Sequence, residues 1–286
     1  MQQSPNKFLL IAMIMLAMIC IPLGDTAGKL MMQAGAEPHF VVWSRLLIGA
    51  LLLLPISRIN TRELPQILHW RLLLRAGIFL LPLSCILIAL KTEDIANVFG
   101  AFFLGPIVAY FVAAVVLKEK ITLLRSALLL IGFGGVLLVV KPGFGMTTGL
   151  MFAVAAGIFY GLYMVANRWV ASYYRPRLIL ISTLLIGSVV MAPFGITSIP
   201  ELTPSMLGLI VLSAAASASG NLMIIEASRR LPASIVAPFI YTQLLAATAF
   251  GYFVFGTLPD MISLIGLLVI IASGYLAFFV ASKERK

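Results

Sequence analysis

Ionisable side chains are few in this chain, and the ones inside apolar runs have the chemistry worth reading first. Asp and Glu number 10 and Lys and Arg 20 in 286 residues. Asp25 follows Pro22 and Gly24 in the first apolar run, Lys29 stands four residues later, and Arg45 lies inside the next run. A charge in the hydrocarbon of a bilayer costs about 2.5–3.5 kcal/mol on insertion scales, so it faces a cavity, a partner or a ligand. Lys29 shares a helix face with Asp25. Asp25 lies about 9 residues before the end of its run and Arg45 about 7 residues into the next, antiparallel one, so the two reach similar depth. Asp25 therefore has three candidate partners: Lys29, Arg45, or the ammonium of a bound solute.

Neutral groups extend this set. Tyr160, Tyr163 and Asn167 follow one another at helical spacing, and Phe99, Phe102, Phe103, Pro106 and Tyr110 form another stripe. Phe239, Tyr241 and Gln243 cluster late in the chain, and Asn221 is a lone amide in an apolar run. A buried amide needs hydrogen-bond partners, and aromatic rings suit the flat part of a solute. The candidate binding set is Asp25, Lys29, Arg45, Phe102, Tyr163, Asn167, Asn221, Phe239, Tyr241 and Gln243. Asp25 is also a candidate proton-coupling group, as is Glu226, which otherwise pairs with Arg229 or Arg230. His39 and His69 sit near run ends without a metal-ligand set, and Cys20 and Cys85 read as buried free thiols. No nucleophile motif and no Walker A sequence occur, so the chain is expected to be no enzyme, to hold no cofactor or metal, and not to use ATP.

The elements that position these residues are membrane spans. Hydrophobic residues make up 62% of the chain and the mean hydropathy is +1.10, more apolar surface than a soluble fold can bury. Ten apolar segments are expected at roughly 8–34, 38–56, 72–90, 95–117, 121–140, 148–171, 177–197, 204–226, 232–256 and 261–281. The first outlasts a signal-peptide core and is expected to stay uncleaved. Sixteen of the 20 Lys and Arg fall on one face of this arrangement, Arg71 and Arg75 among them. Only Lys29, Lys91 and Lys141 fall on the other, with Arg45 inside a span. That bias predicts cytoplasmic termini and explains the net charge of +10 without nucleic acid.

The spans repeat. LLIGALLLLP at 46–55 is echoed by LLIGSVVMAP at 184–193, an offset of 138. Phe102 falls on Phe239 and Pro106 on Gln243 at 137, Gly135 on Gly274 at 139, and at 138 Tyr163 falls on Asp25 and Asn167 on Lys29. Each copy holds five spans, an odd number, so the copies must be inverted, an arrangement built around a midplane site in secondary transporters. The expected fold is an all-α membrane protein of ten transmembrane helices in two inverted five-helix repeats, 1–143 and 144–286. Glycines at 100, 105, 132, 135, 251, 266 and 274 suit close helix packing.

Three stretches resemble the drug/metabolite transporter superfamily, specifically its EamA-domain ten-span carriers. They are AFFLGPIVAYFVAAVVLKEKIT at 101–122, LPASIVAPFIYTQLLAATAFGYFVFGTLPD at 231–260, and the first span with Asp25 and Lys29. Glu119 matches the glutamate usual after the fourth span, whereas Gly256 and Thr257 stand where its mate would be, so Glu119 is read as structural. The resemblance places the fourth and ninth spans around a central cavity. It implies an inner (plasma) membrane secondary carrier working by alternating access, as monomer or dimer, among membrane lipids. The charged set favours a zwitterionic or amphiphilic solute such as an amino acid, S-adenosylmethionine or a flavin, moved with protons or against a counter-solute. The alternative is a flippase of a small lipid or lipid-linked head group. A ten-span chain speaks against it, because the small lipid translocators of this fold are four-span proteins.

Overall fold

A backbone crossing hydrocarbon must satisfy its hydrogen bonds within its own segment, so the apolar runs fold as helices. The computed structural model describes residues 7–57, 59, 63–116, 118, 121–141, 145–171, 173–230 and 242–283. In chain order the helices are α1 (Lys7–Gln33), α2 (Pro38–Ser57), α3 (Leu64–Ile67), α4 (Trp70–Thr92), α5 (Ile95–Phe102), α6 (Leu104–Val116), α7 (Leu123–Val140), α8 (Thr148–Ala171), α9 (Pro176–Ile196), α10 (Pro204–Arg230), α11 (Thr242–Phe255) and α12 (Met261–Lys283). Among the described residues, seven stretches are long and apolar enough to cross a membrane. Three shorter apolar helices, within α7, α11 and α12, bring the set to ten.

Two expected spans look different in detail. The fourth is two helices, α5 and α6, separated at Phe103. Pro106 has no N–H for the carbonyl of Phe102 four residues earlier, and its ring crowds that carbonyl. The freed carbonyl of Phe102 lies against α8, where a Cβ on Gly157 would sit 2.9 Å from its oxygen. The ninth span is described only from Thr242, so Phe239 and Tyr241 lie outside the described residues, as does Glu119. The short α3 was not expected from the sequence. It starts with a proline, Pro65, in its first turn.

The packing repeats itself. α1 lies along α10 and α8 along α4, which is one contact made twice: first span on eighth, sixth on third. α2 against α9 and α7 against α12 are each their own mates under the same exchange, and α5 and α6 pack on α8 as α11 packs on α1. A pseudo-twofold axis in the membrane plane, relating five spans to the next five, produces this reciprocity. Glycine lets the paired helices touch. A Cβ on Gly135 of α7 would lie 2.7 Å from the Gly266 carbonyl of α12, and one on Gly266 would lie 2.6 Å from that of Gly135. Gly161 of α8 meets the Gly105 carbonyl of α6 in the same way, at 2.7 Å.

The bundle has a terminal end, where α1 begins and α12 finishes, and an opposite end. Ion pairs tie the connections at both. At the opposite end Lys91 donates to Glu37 at 2.8 Å and Lys141 to Asp260 at 2.7 Å. At the terminal end Arg175 donates to Glu63 at 2.5 Å. The lysine partners hold the carboxyl of Glu37 below its usual range and that of Asp260 at about 2.

Candidate functional site

Asp25 is joined to Arg45. Nη1 of Arg45 donates to Oδ1 of Asp25 at 2.5 Å, Nη2 to the Gly24 carbonyl at 2.8 Å, and Nε to the Ser213 hydroxyl at 3.1 Å. Both charged residues are 4% exposed. Two glycines of α1 make the room. A Cβ on Gly28 would meet the Arg45 Nη2 at 2.9 Å, and one on Gly24 would meet the Ser213 carbonyl and the Ser217 nitrogen at 3.1 Å. α1 can therefore lie close against α10 while the guanidinium reaches across from α2. Ser213 in turn donates to the Gly24 carbonyl at 2.9 Å.

Lys29 does not join this pair. Its Nζ donates to the Glu93 carbonyl in the α4–α5 connection and lies 5.1 Å over the Phe255 ring. The aliphatic stem leaves the apolar interior for the opposite end of the bundle, as snorkelling predicts.

A second buried arginine organises a second cluster. Arg75, on α4, is 1% exposed, which corrects its reading as a surface topology charge. It is carried inward because α4 packs between α8 and α9. Nε donates to the Asn167 amide oxygen at 3.0 Å and Nη2 to the Tyr163 hydroxyl at 2.8 Å. Nη1 donates to the Ile179 carbonyl at 3.3 Å and to the Thr183 hydroxyl. Tyr163 and Asn167 thus hold an arginine that composition and spacing gave no reason to connect with them.

Between the two clusters lies a small cavity. Arg45 and Arg75 both border it, with Phe79, Tyr163, Thr183, Ser217 and Asn221 among the other walls. Arg45 stands seven residues into α2 from the opposite end, and Arg75 five residues into α4 from the terminal end. At ~1.5 Å per residue each guanidinium starts ~7–11 Å from its own end, so the cavity occupies the middle of the bundle. An aromatic row runs away from it. Phe79 meets Tyr163 at 5.1 Å between ring centres, Tyr163 meets Tyr160 at 5.9 Å, and Tyr160 meets Phe102 at 4.5 Å.

The remaining candidates are spread more widely. Asn221 lines the cavity and donates to the Ser217 carbonyl at 2.9 Å. Phe102 is buried at the end of the aromatic row, outside the cavity wall, and Gln243 is buried at the start of α11. Glu226 lies five residues beyond Asn221, toward the terminal end of α10. Among the described residues no three His, Cys, Asp or Glu side chains gather as a metal site. Cys20 and Cys85 are free thiols, half-buried rather than buried.

Comparison with known proteins decides the family. The model of the EamA-like transporter family matches the chain twice, over residues 8–141 and 147–279. The chain belongs to the EamA-like transporter family. This is a family of membrane transporters, not of enzymes. An S-adenosylmethionine uptake transporter of Rickettsia bellii is 26% identical over 187 residues, covering 63% of this chain and 62% of that protein. One of Rickettsia conorii is 27% identical over 190 residues, covering 63% and 61%. An uncharacterized transporter of Helicobacter pylori is 27% identical over 183 residues, covering 60% and 61%. The chain thus spans about three-fifths of the length of these curated relatives. A solved protein structure with a TM-score of 0.66 and 17% identity covers 96% of this chain and 99% of its own, which extends the likeness of fold to nearly the full length.

Proposed function

We propose that this chain is a secondary carrier of the inner membrane, with both termini cytoplasmic, moving a small amphiphilic metabolite by alternating access. The observation that carries the reading is the mid-depth cavity with a guanidinium on either side and an aromatic wall between them. Repeats 1–143 and 144–286 would rock about it, opening the Arg45 side and the Arg75 side in turn.

The lining favours one class of solute. Asp25 neutralises Arg45, so the polar charge left facing the cavity is that of Arg75. Phe79 and Tyr163 put aromatic rings on the cavity wall, with the Arg75 guanidinium 5.0 Å over the Tyr163 ring, a lining that suits the flat part of a heterocyclic solute. Asn221 and Ser217 add neutral hydrogen-bonding groups. S-adenosylmethionine fits this description, and the names of the Rickettsia relatives point to the same compound. Asp25 and Glu226 are the carboxylates on which proton coupling would fall; exchange against a counter-solute needs neither.

Uptake of labelled S-adenosylmethionine, amino acids and riboflavin into proteoliposomes tests this, with and without a proton gradient. The expected result is saturable S-adenosylmethionine uptake that competing amino acids weaken little. Saturable uptake of a different compound would replace the substrate and keep the carrier. Unsaturable leak of all three would remove the carrier reading.

A further inference from the structure

The two buried arginine clusters are related by the internal repeat, and they differ in one component. At the offset of 138, Asp25 falls on Tyr163, Arg45 on Thr183 and Ser213 on Arg75. The bond from Arg45 to Ser213 in one cluster therefore corresponds to the bond from Arg75 to Thr183 in the other, with arginine and hydroxyl exchanged. One cluster joins the first, second and eighth spans; the other joins the sixth, seventh and third. The first contains a carboxylate, Asp25, in contact with its guanidinium. The second has a phenol at that position, and every hydrogen-bond partner of Arg75 among the described residues is neutral.

Neutral partners satisfy N–H groups without balancing the charge. A desolvated cation without a counter-charge costs several kcal/mol, so such a group persists in a membrane bundle where a ligand supplies the missing charge. The hydrogen bonds leave room for one. Arginine has five N–H donors; Arg75 uses four of them, one from Nε, two from Nη1 and one from Nη2. Tyr163 accepts from Arg75 through its oxygen, which leaves its own O–H proton to donate. The spare Nη2–H of Arg75 and the O–H of Tyr163 are adjacent donors, both on residues that border the cavity. Two adjacent donors backed by a positive charge are what a carboxylate takes.

We infer that the Arg75–Tyr163 pair is a carboxylate subsite, in which the carboxyl group of the transported solute takes the part that Asp25 plays beside Arg45. The inference rests on the carrier reading above and narrows its substrate to compounds with a free carboxylate. The rings of Phe79 and Tyr163 would then receive the remainder of the molecule.

Thermal unfolding of the full-length protein in detergent tests it, with solute pairs that differ only in the carboxyl group. Suitable pairs are S-adenosylmethionine with its decarboxylated counterpart, methionine with 3-methylthiopropylamine, and phenylalanine with phenethylamine. In at least one pair the carboxylate should protect at a concentration about tenfold lower than the amine, the size of one charge-assisted hydrogen bond. Arg75→Gln should abolish that difference. Thr183→Asp places a carboxylate where the Thr183 hydroxyl meets Arg75, so it should raise the melting temperature above that of the near-isosteric Thr183→Asn and remove carboxylate protection. Discrimination in the methionine or phenylalanine pair alone would overturn S-adenosylmethionine as substrate and leave the subsite standing. Equal protection within every pair would overturn the subsite while leaving the carrier intact. So would a carboxylate preference that survives Arg75→Gln. If no solute protects, the comparison of Thr183→Asp with Thr183→Asn decides, and equal melting temperatures overturn the inference.

Discussion

A buried ion pair is expensive to form and more expensive to half-break. Arg45 and Asp25 have lost their water, and each relies on the other for charge balance. Asp25→Asn should therefore destabilise the protein by about 3–5 kcal/mol, because it strands the guanidinium. Adding Arg45→Gln to Asp25→Asn should recover more than half of that loss, and a double-mutant cycle by thermal unfolding measures it. Additive losses would mean that the pair is not the unit the geometry describes. The sequence offered Arg45 as one of three partners for Asp25, since the two residues stand at matching depth in antiparallel spans, and the packing selects it over Lys29. Arg75 was not. It lies four residues after Arg71 and close to a span end, where positive residues ordinarily mark the cytoplasmic side. Only the packing of α4 against α8 and α9 takes it out of water. The signal that would have found it was the repeat, which sets Arg75 on Ser213 and Arg45 on Thr183.

Helix pairs in this bundle are held by backbone contact at glycine and tied at their ends by ion pairs. Gly135→Ala pushes a methyl against the Gly266 carbonyl, which cannot yield as a side-chain tip can. It should cost about 1–3 kcal/mol, the range for overpacking. Gly134→Ala, next in the chain, meets nothing within 4 Å and should be neutral or mildly stabilising. Unfolding of the two variants side by side reads the difference. Gly105, Gly135 and Gly266 were legible from composition and spacing, whereas Gly24, Gly28, Gly157 and Gly161 show their close contacts only in the packing. The break at Phe103 was not drawn from Pro106, because proline in a membrane helix is compatible with either a kink or a full interruption. Lys141 caps α7 in a left-handed conformation and reaches Asp260 at the start of α12. The carboxyl of Asp260 titrates near 2 in the folded protein against 3.8 as a free side chain. A depressed acid stabilises the fold above the unfolded value and loses that effect as pH falls through the folded one. The window is thus about pH 4 down to 2. Because the pair is largely exposed, its effect is at most ~1 kcal/mol. Lys141→Gln should shrink the acid-dependent part of the stability curve over that window.

At the scale of the molecule, ten apolar helices in two inverted halves enclose a central cavity. The architecture was readable from one echoed decapeptide and an odd span count, because inversion follows from parity. The cavity wall was only partly readable. Tyr163, Asn221 and Arg45 border it, whereas Phe79, Thr183 and Ser217 come from turns of α4, α9 and α10 that carry no outward mark in the sequence. Both guanidiniums border one space, each nearer a different end of the bundle, and the proposed carrier would exchange access to it between those two ends. A carrier of this kind binds solute on one side before releasing it on the other, and unlabelled solute inside should speed the entry of label. The decisive measurement is counterflow in proteoliposomes preloaded with unlabelled S-adenosylmethionine and diluted into a trace of the labelled compound, without a proton gradient. The account predicts a transient accumulation of label above the equilibrium level, lost in Arg75→Gln. Entry at the same rate into preloaded and empty vesicles, with no overshoot in either, would contradict it.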